Sequence, residues 1–329
     1  MSLMKGALAL IALVAIVALS GCGADPAFTS GKVYLADKNY EDAIEQLTLA
    51  IENAPDNWEP RMYLGSAYAE TGELEMAHDE LFQALELAPD EGAESQVENM
   101  ISYYWQQHNK QGMQYVDAAK YDEAIKEYEK AITIDPRKPD ALTGLGVAYQ
   151  SLGEYDEAIE YFEMAYESAP ENETIQENLL TVYDNKARSL GSASQYEEAI
   201  SYYEQIQEIA PDYPELDFNI GYMHYQMRDY ATAIDYYEDY LVENPEDEDV
   251  LRMTYYAHFQ MGESLWETDQ MAATEHYEEA IGALNRLVAI EDDVSYHRTL
   301  AKIYNTLGRE EEAMLEVEQM RMLLEQQNQ

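Results

Sequence analysis

A single cysteine, Cys22, stands in 329 residues, so no intramolecular disulfide is available and the fold must be held by packing alone. Positive charge is scarce as well. Nineteen Lys and Arg face 66 Asp and Glu, a formal net charge of −47, which repels nucleic acid phosphates and anionic headgroups over most of the surface. The apolar run from Gly6 to Leu19 has 14 residues, short of the about 20 that a bilayer span needs. Signatures of chemistry are missing too. His78, His108, His224, His258, His276 and His297 form no HxxxH or HExxH pair that would set two imidazoles on one helical face for a metal. The glycines sit singly rather than in a phosphate-cradling loop, and there is no G-x-S-x-G elbow. Glu246 to Asp249, the densest acid run, lacks the alternating ligands and central Gly of a calcium loop and reads as a solvated turn. The expectation is a chain without catalytic residues, metal or cofactor, and without nucleic acid as a partner.

What is present begins with an export signal. Lys5, the apolar run and Leu19-Ser20-Gly21-Cys22 follow one another in the first 22 residues. The tetrad resembles the lipobox of prokaryotic lipoproteins, where small residues admit a dedicated peptidase and the Cys thiol is acylated before becoming the mature N-terminus. The resemblance implies a signal peptide over residues 1–21, a lipid on Cys22 and a short tether through residue 27. An ordinary export signal followed by an unmodified Cys is the alternative. Gly23 and Ala24 lack the Asp that retains enterobacterial lipoproteins at the inner membrane. By that resemblance the protein belongs on the outer membrane, facing the periplasm, in a cell with two membranes, and on the cell surface otherwise.

Beyond the tether the chain repeats itself, and 47% hydrophobic residues supply a core. From Pro139 to Asn172, Leu142, Leu145, Gly146, Tyr149 and Leu152 recur at helical spacing. Gly153 interrupts, and Tyr155, Ala158, Ile159, Phe162, Ala165 and Tyr166 resume the spacing until Pro170. Two amphipathic helices joined by a tight turn follow, each with an apolar stripe too wide for the other to cover. The acidic pair, Ala and apolar residue that open the second helix recur around Ala43, Ala124, Ala158, Ala199, Ala280 and Ala313, with looser copies at Ala77 and Ala233. Successive anchors lie 34, 47, 34, 41, 34, 47 and 33 residues apart.

This pattern resembles the tetratricopeptide repeat. Leu64-Gly65 with Tyr68 and Leu145-Gly146 with Tyr149 match the first helix of that family, and Tyr155, Ala158 and Pro170, like Tyr196, Ala199 and Pro211, match the second. The family Trp is absent, with Arg61, His108 and Leu142 in its place. The resemblance implies an all-α, right-handed superhelical solenoid over residues 28–329. Its eight repeats fall at about 24–57, 58–91, 92–138, 139–172, 173–213, 214–247, 248–293 and 294–326. The extra residues before the anchors of repeats 3, 5 and 7 contain no Pro and keep a helical stripe, so they read as lengthened first helices standing out as docking ridges. In the last repeat, Met314, Val317, Met320, Leu323 and Leu324 form a stripe with no following helix to cover it.

Family resemblance also places a ligand groove on the first helices. The positions facing it are Met62, Ser66 and Ala69 in repeat two, Thr143, Val147 and Gln150 in repeat four, and Phe218, Tyr222 and Tyr225 in repeat six. Members that hold a terminal carboxylate use Lys and Asn there, which this chain lacks, so a hydrophobic, aromatic or basic segment is expected rather than an acidic one. Most of the 29 tyrosines recur at two packing positions. Tyr161, Tyr202 and Tyr236 do not, and form either a surface stripe or half-exposed filler. The acidity has a bland reading, a surface kept soluble or adapted to salt, and a functional one, attraction of basic partners. Together these features predict a non-enzymatic lipid-anchored scaffold that docks a partner protein or peptide at the envelope. The alternative is a structural protein that self-associates into an array or filament.

Overall fold

The computed structural model describes residues 25–327; the expected signal peptide, Cys22 and most of the tether lie outside the described residues. Sixteen α-helices and no strands occur among them. They run as eight helix-turn-helix pairs: α1 (Pro26–Ala36) with α2 (Tyr40–Asn53), α3 (Trp58–Thr71) with α4 (Leu74–Glu86), α5 (Glu91–Asp117) with α6 (Tyr121–Ile134), and α7 (Pro139–Leu152) with α8 (Tyr155–Ser168). Then come α9 (Glu173–Ser192) with α10 (Tyr196–Ile209), α11 (Leu216–Gln226) with α12 (Tyr230–Glu243), α13 (Glu248–Leu265) with α14 (Gln270–Ile290), and α15 (Val294–Thr306) with α16 (Glu310–Gln327). The chain divides into two compact units between Leu179 and Leu180, inside α9.

Local chemistry sets the helix ends. Side chains of Asp25, Asn57, Asp90, Asn172, Asp229, Asp247, Asp269 and Asp293 accept backbone N–H groups at helix starts, satisfying donors that have no intrahelical partner. Acidic pairs such as Glu41-Asp42 and Asp156-Glu157 occupy first turns, where the helix dipole favours them. Part of the acidity is therefore structural. Between the helices of a pair, Lys38, Gly72, Ala119, Gly153, Ser194, Arg228 and Gly308 all take positive φ and lie five residues before the anchor Ala. Glycine tolerates that backbone; a residue with a Cβ is strained there.

Packing within a pair follows one rule. Four residues after the anchor, a large side chain crosses to the first helix where that helix has a glycine. A Cβ on Gly31, Gly65, Gly112, Gly146 or Gly221 would come within 2.7 Å of Leu47, Leu81, Tyr128, Phe162 or Tyr237 respectively. Each of those five side chains is buried, contributing about 1.5–3 kcal/mol by leaving water.

The first helices of pairs three, five and seven are lengthened, to 27, 20 and 18 residues. In the seventh pair, however, more of the extra length goes to the second helix, which has 21 residues. The reason lies in Asp269, whose side chain caps Ala272 N and starts α14 well before Glu278-Glu279-Ala280-Ile281. Ala273, fully buried, takes the anchor's place, and Tyr277 four residues on meets Gly262. Ala280 sits two turns further along the same buried face.

Nor is α5 a free ridge. Its added N-terminal turns bury Ala93, Val97, Ile101 and Tyr104, and Tyr104 Oη lies 2.7 Å from Ser66 Oγ on α3. Pro139 opens α7, whereas Pro214 precedes α11 by two residues, because Glu215 takes positive φ before the helix begins.

Candidate functional site

In the first unit the expected groove positions separate into three groups. Met62 and Ser66 are buried, so neither faces a ligand: Met62 belongs to the core cluster that includes Tyr104 of α5, and Ser66 is met by the Tyr104 hydroxyl, which also reaches Glu70 Oε1 at 3.1 Å. Ala69 and Gln150 are half-buried. Thr143 and Val147, by contrast, line a cavity of about 310 Å³. Asn109 and Met113 of α5, Tyr128 of α6, Pro139, Asp140 and Gly144 of α7, and Asn172, Thr174 and Ile175 at the start of α9 complete it. Three successive first helices thus contribute to one depression. Burial pushes the Tyr128 phenol up to about 12, with Asp117 adding to the shift, so it stays neutral at physiological pH. The turn that precedes α7 is tied by an ion pair with a buried carboxylate. Asp135, with no exposure, accepts from Arg137 Nε at 2.8 Å and from its backbone N at 3.2 Å, and Lys138 beside it lies over the Trp105 ring.

In the second unit Phe218 and Tyr225 are half-buried against the core, and Tyr222 is exposed. The Phe218 ring centroid is 6.4 Å from that of Tyr222 and 6.1 Å from that of Tyr237. The Tyr237 hydroxyl is buried with no hydrogen-bond partner, and burial drives its pKa upward, with smaller contributions from Tyr225 and Tyr222. The three expected anchors therefore do gather on one helix, but two of them are also part of the core.

Tyr161, Tyr202 and Tyr236 are half-buried and pack on rings of their own pairs: Tyr149 at 5.5 Å, Tyr183 at 5.8 Å and His224 at 5.9 Å between centroids. They are packing within pairs rather than a free stripe. Met314 and Val317 of α16 are exposed, joined by Leu315, Met322 and Leu324, whereas Met320 and Leu323 are half-buried.

Two histidine arrangements had no signal in the sequence, because each draws a member from another helix. His258 and His276 approach at 3.0 Å between Nδ1 atoms, and His258 Nε2 lies 3.3 Å from Glu238 Oε1. Burial, and then His276, push the His258 pKa down to about 4, which leaves it neutral. His297 sits between Glu316 at 2.5 Å and Asp292 at 2.6 Å. Its burial lowers the pKa, but the two hydrogen bonds and the two charges outweigh that and raise it. Among the described residues no group of three or more His, Cys, Asp or Glu is placed to hold a metal ion. The Glu246–Asp249 run is a helix start, where Asp247 caps Val250 N and Asp249 pairs with Arg252. No described helix is long and apolar enough to cross a membrane.

Family models described as "Tetratricopeptide repeat" match residues 34–96, 138–212 and 185–248, and one described as "TPR repeat" matches residues 112–153. No enzyme family is found with them. No curated protein matches the sequence. Among solved structures, the TPR domain of P58(IPK) is 17% identical over 86% of this chain and 98% of that one, with a TM-score of 0.33. YrrB, described as a TPR protein with an unusual peptide-binding site, is 18% identical over 77% and 96%, with a TM-score of 0.35. The pilF protein of Pseudomonas aeruginosa is 19% identical over 68% and 93%, with a TM-score of 0.36. At these identities the likeness is one of fold alone.

Proposed function

The chain is a tetratricopeptide repeat protein, and on that premise we propose that it is a non-enzymatic scaffold holding a segment of a partner protein against its first helices. One observation carries this reading: α5, α7 and the start of α9 together line a single cavity, so an extended segment laid across them meets three pairs at once. Thr143 and Val147 supply contact there. Tyr222, with Phe218 behind it, offers an aromatic anchor in the second unit. The net charge of −47 favours a basic or neutral segment over an acidic one. The test is capture of a partner by the purified protein from its own envelope fraction. Val147→Arg and Tyr222→Ala are expected to weaken capture without unfolding the chain, since neither side chain is fully buried. Undiminished capture by the double variant would remove the first-helix face from the account.

The same proposal places the scaffold at a membrane through a lipid on Cys22, on the outer membrane facing the periplasm where there are two membranes. The support is the Leu19-Ser20-Gly21-Cys22 tetrad and the absence of Asp after it. Cys22→Ser is expected to leave unprocessed precursor; unchanged mass and unchanged detergent partitioning would refute the anchor.

A second reading, self-association, is favoured by the uncovered Met314, Leu315 and Val317 on α16. It requires assembly that rises with protein concentration and disappears when residues 314–329 are removed.

A further inference from the structure

We propose that the cavity of the first unit is a side-chain pocket for an arginine of the bound segment, an inference that rests on the first-helix reading above and narrows it to one chemistry. The pocket exists because of a single departure from the repeat. Two residues before the close-approach Gly146 stands Gly144; the same place in the other seven first helices holds Thr29, Tyr63, Lys110, Asn185, Asn219, Gln260 and Thr299. Where every other pair projects a side chain, this pair projects none. The Tyr128 ring reaches into that space, 2.4 Å from where a Gly144 Cβ would be, and both residues line the cavity of about 310 Å³. That volume is at the lower end of ligand pockets, about 300–1,000 Å³, which suits one large side chain.

The walls specify which side chain. Met113, Val147 and Ile175 give an apolar flank, and Met113 is 55% exposed, an uncovered thioether beside the opening. An arginine stem covers such a surface while its head remains polar. Two acceptors in the lining, Asn109 Oδ1 and the Asp140 carboxylate, have no partner among the described residues. Thr143 Oγ1 donates to Pro139 O, and Asn172 Oδ1 caps Thr174 N and Ile175 N. Asn109 Oδ1 is buried without a hydrogen-bond partner, an unfavourable state that an incoming donor relieves. Asp140 carries the only charge in the lining and is exposed, with no ion pair among the described residues. A guanidinium has five donors in a planar fork and serves two acceptors at once, which an ammonium on a point does less well. A carboxylate ligand would meet Asp140 and find no cation in the lining.

The experiment pans a random 12-residue peptide library over the purified protein and measures the enriched peptides by fluorescence anisotropy. The enriched peptides are expected to share an arginine. Replacing it by alanine weakens binding about tenfold or more, replacing it by lysine weakens it less, and Asp140→Asn weakens the arginine peptide but not its alanine version. Gly144→Ala, which crowds Tyr128, has the same selective effect if the variant keeps its circular dichroism spectrum; Asp140→Asn, at an exposed site, carries the test if it does not. Peptides that bind, lose binding with Val147→Arg and yet show no arginine preference would overturn the pocket and leave the first-helix reading standing. Peptides that bind indifferently to Val147→Arg, or no enrichment at all, would overturn both.

Discussion

Removing the Arg137 guanidinium should destabilise the first unit through the carboxylate it leaves behind. Asp135 has no exposure, and without Arg137 its nearest cation is Lys138 Nζ at 4.0 Å. Breaking a buried pair from one side costs about 3–5 kcal/mol. Because the Arg137 side chain is 44% exposed, solvent screens part of that, and a loss of about 2–3 kcal/mol is expected for Arg137→Met. The Phe82 ring, 4.7 Å from the guanidinium carbon, adds about 0.5–1 kcal/mol to that loss. Glu98, 3.0 Å away but 40% exposed, contributes about 0–1 kcal/mol, so Glu98→Gln should be nearly silent. Trp105 is a local reporter, because it is buried and Lys138 lies 4.7 Å from its ring; Trp58 and Trp266 are replaced by Phe so that it reports alone. Urea unfolding read by its fluorescence should show Arg137→Met far below Glu98→Gln, a gap that persists at high salt because the Asp135 arm is shielded from ions. Equal and small losses for the two variants would refute the claim that a buried charge holds this turn.

Backbone strain predicts a gain. Ala119 takes φ 54°, so Ala119→Gly should stabilise by a net ~0.5–1 kcal/mol after the extra freedom of an unfolded glycine is offset; a loss on thermal melting would contradict it. Phe162→Ala empties the space against Gly146 and should cost about 3–5 kcal/mol, measured by the same urea series. The two buried histidines predict opposite pH slopes. His297, with its raised pKa, stabilises the fold below its ordinary value of about 6.5, and that contribution is lost as pH rises through the elevated folded pKa. His258, held neutral, contributes stability above about 6.5 that is lost as pH falls toward about 4. His297→Gln should flatten the alkaline side of the stability profile and His258→Gln the acid side; unchanged slopes would refute either assignment.

The repeat was legible because its signals are local: a helical stripe, and an acidic pair, an anchor Ala and an apolar residue opening the second helix at a recurring spacing. Pair seven shows where locality fails. Ala273 and Ala280 are seven residues apart, two helical turns, and so share one buried face. The acidic pair before Ala280 made it look like the anchor, and only the Asp269 cap and the Tyr277 crossing at Gly262 distinguish the two. Thr143 and Val147 were assigned to the first-helix face by the family resemblance, and both line the cavity. Met62 and Ser66 were assigned in the same way and are buried, Ser66 under the hydroxyl of Tyr104, 38 residues further along the chain. No periodicity within pair two encodes the path of α5. Asn109, Tyr128 and Gly144 escaped notice for the same reason, each being ordinary in its own helix and informative only beside the others.

The central claim, that first helices hold the partner, is tested most directly by site-specific photocrosslinking in the native envelope. A benzophenone amino acid is placed in turn at three exposed methionines: Met113 on a first helix, Met164 on a second helix and Met314 on α16. The account predicts an adduct with another protein at Met113 and none at Met164. A partner adduct at Met164 with none at Met113 would contradict it, and an adduct between copies at Met314 alone would replace docking with self-association.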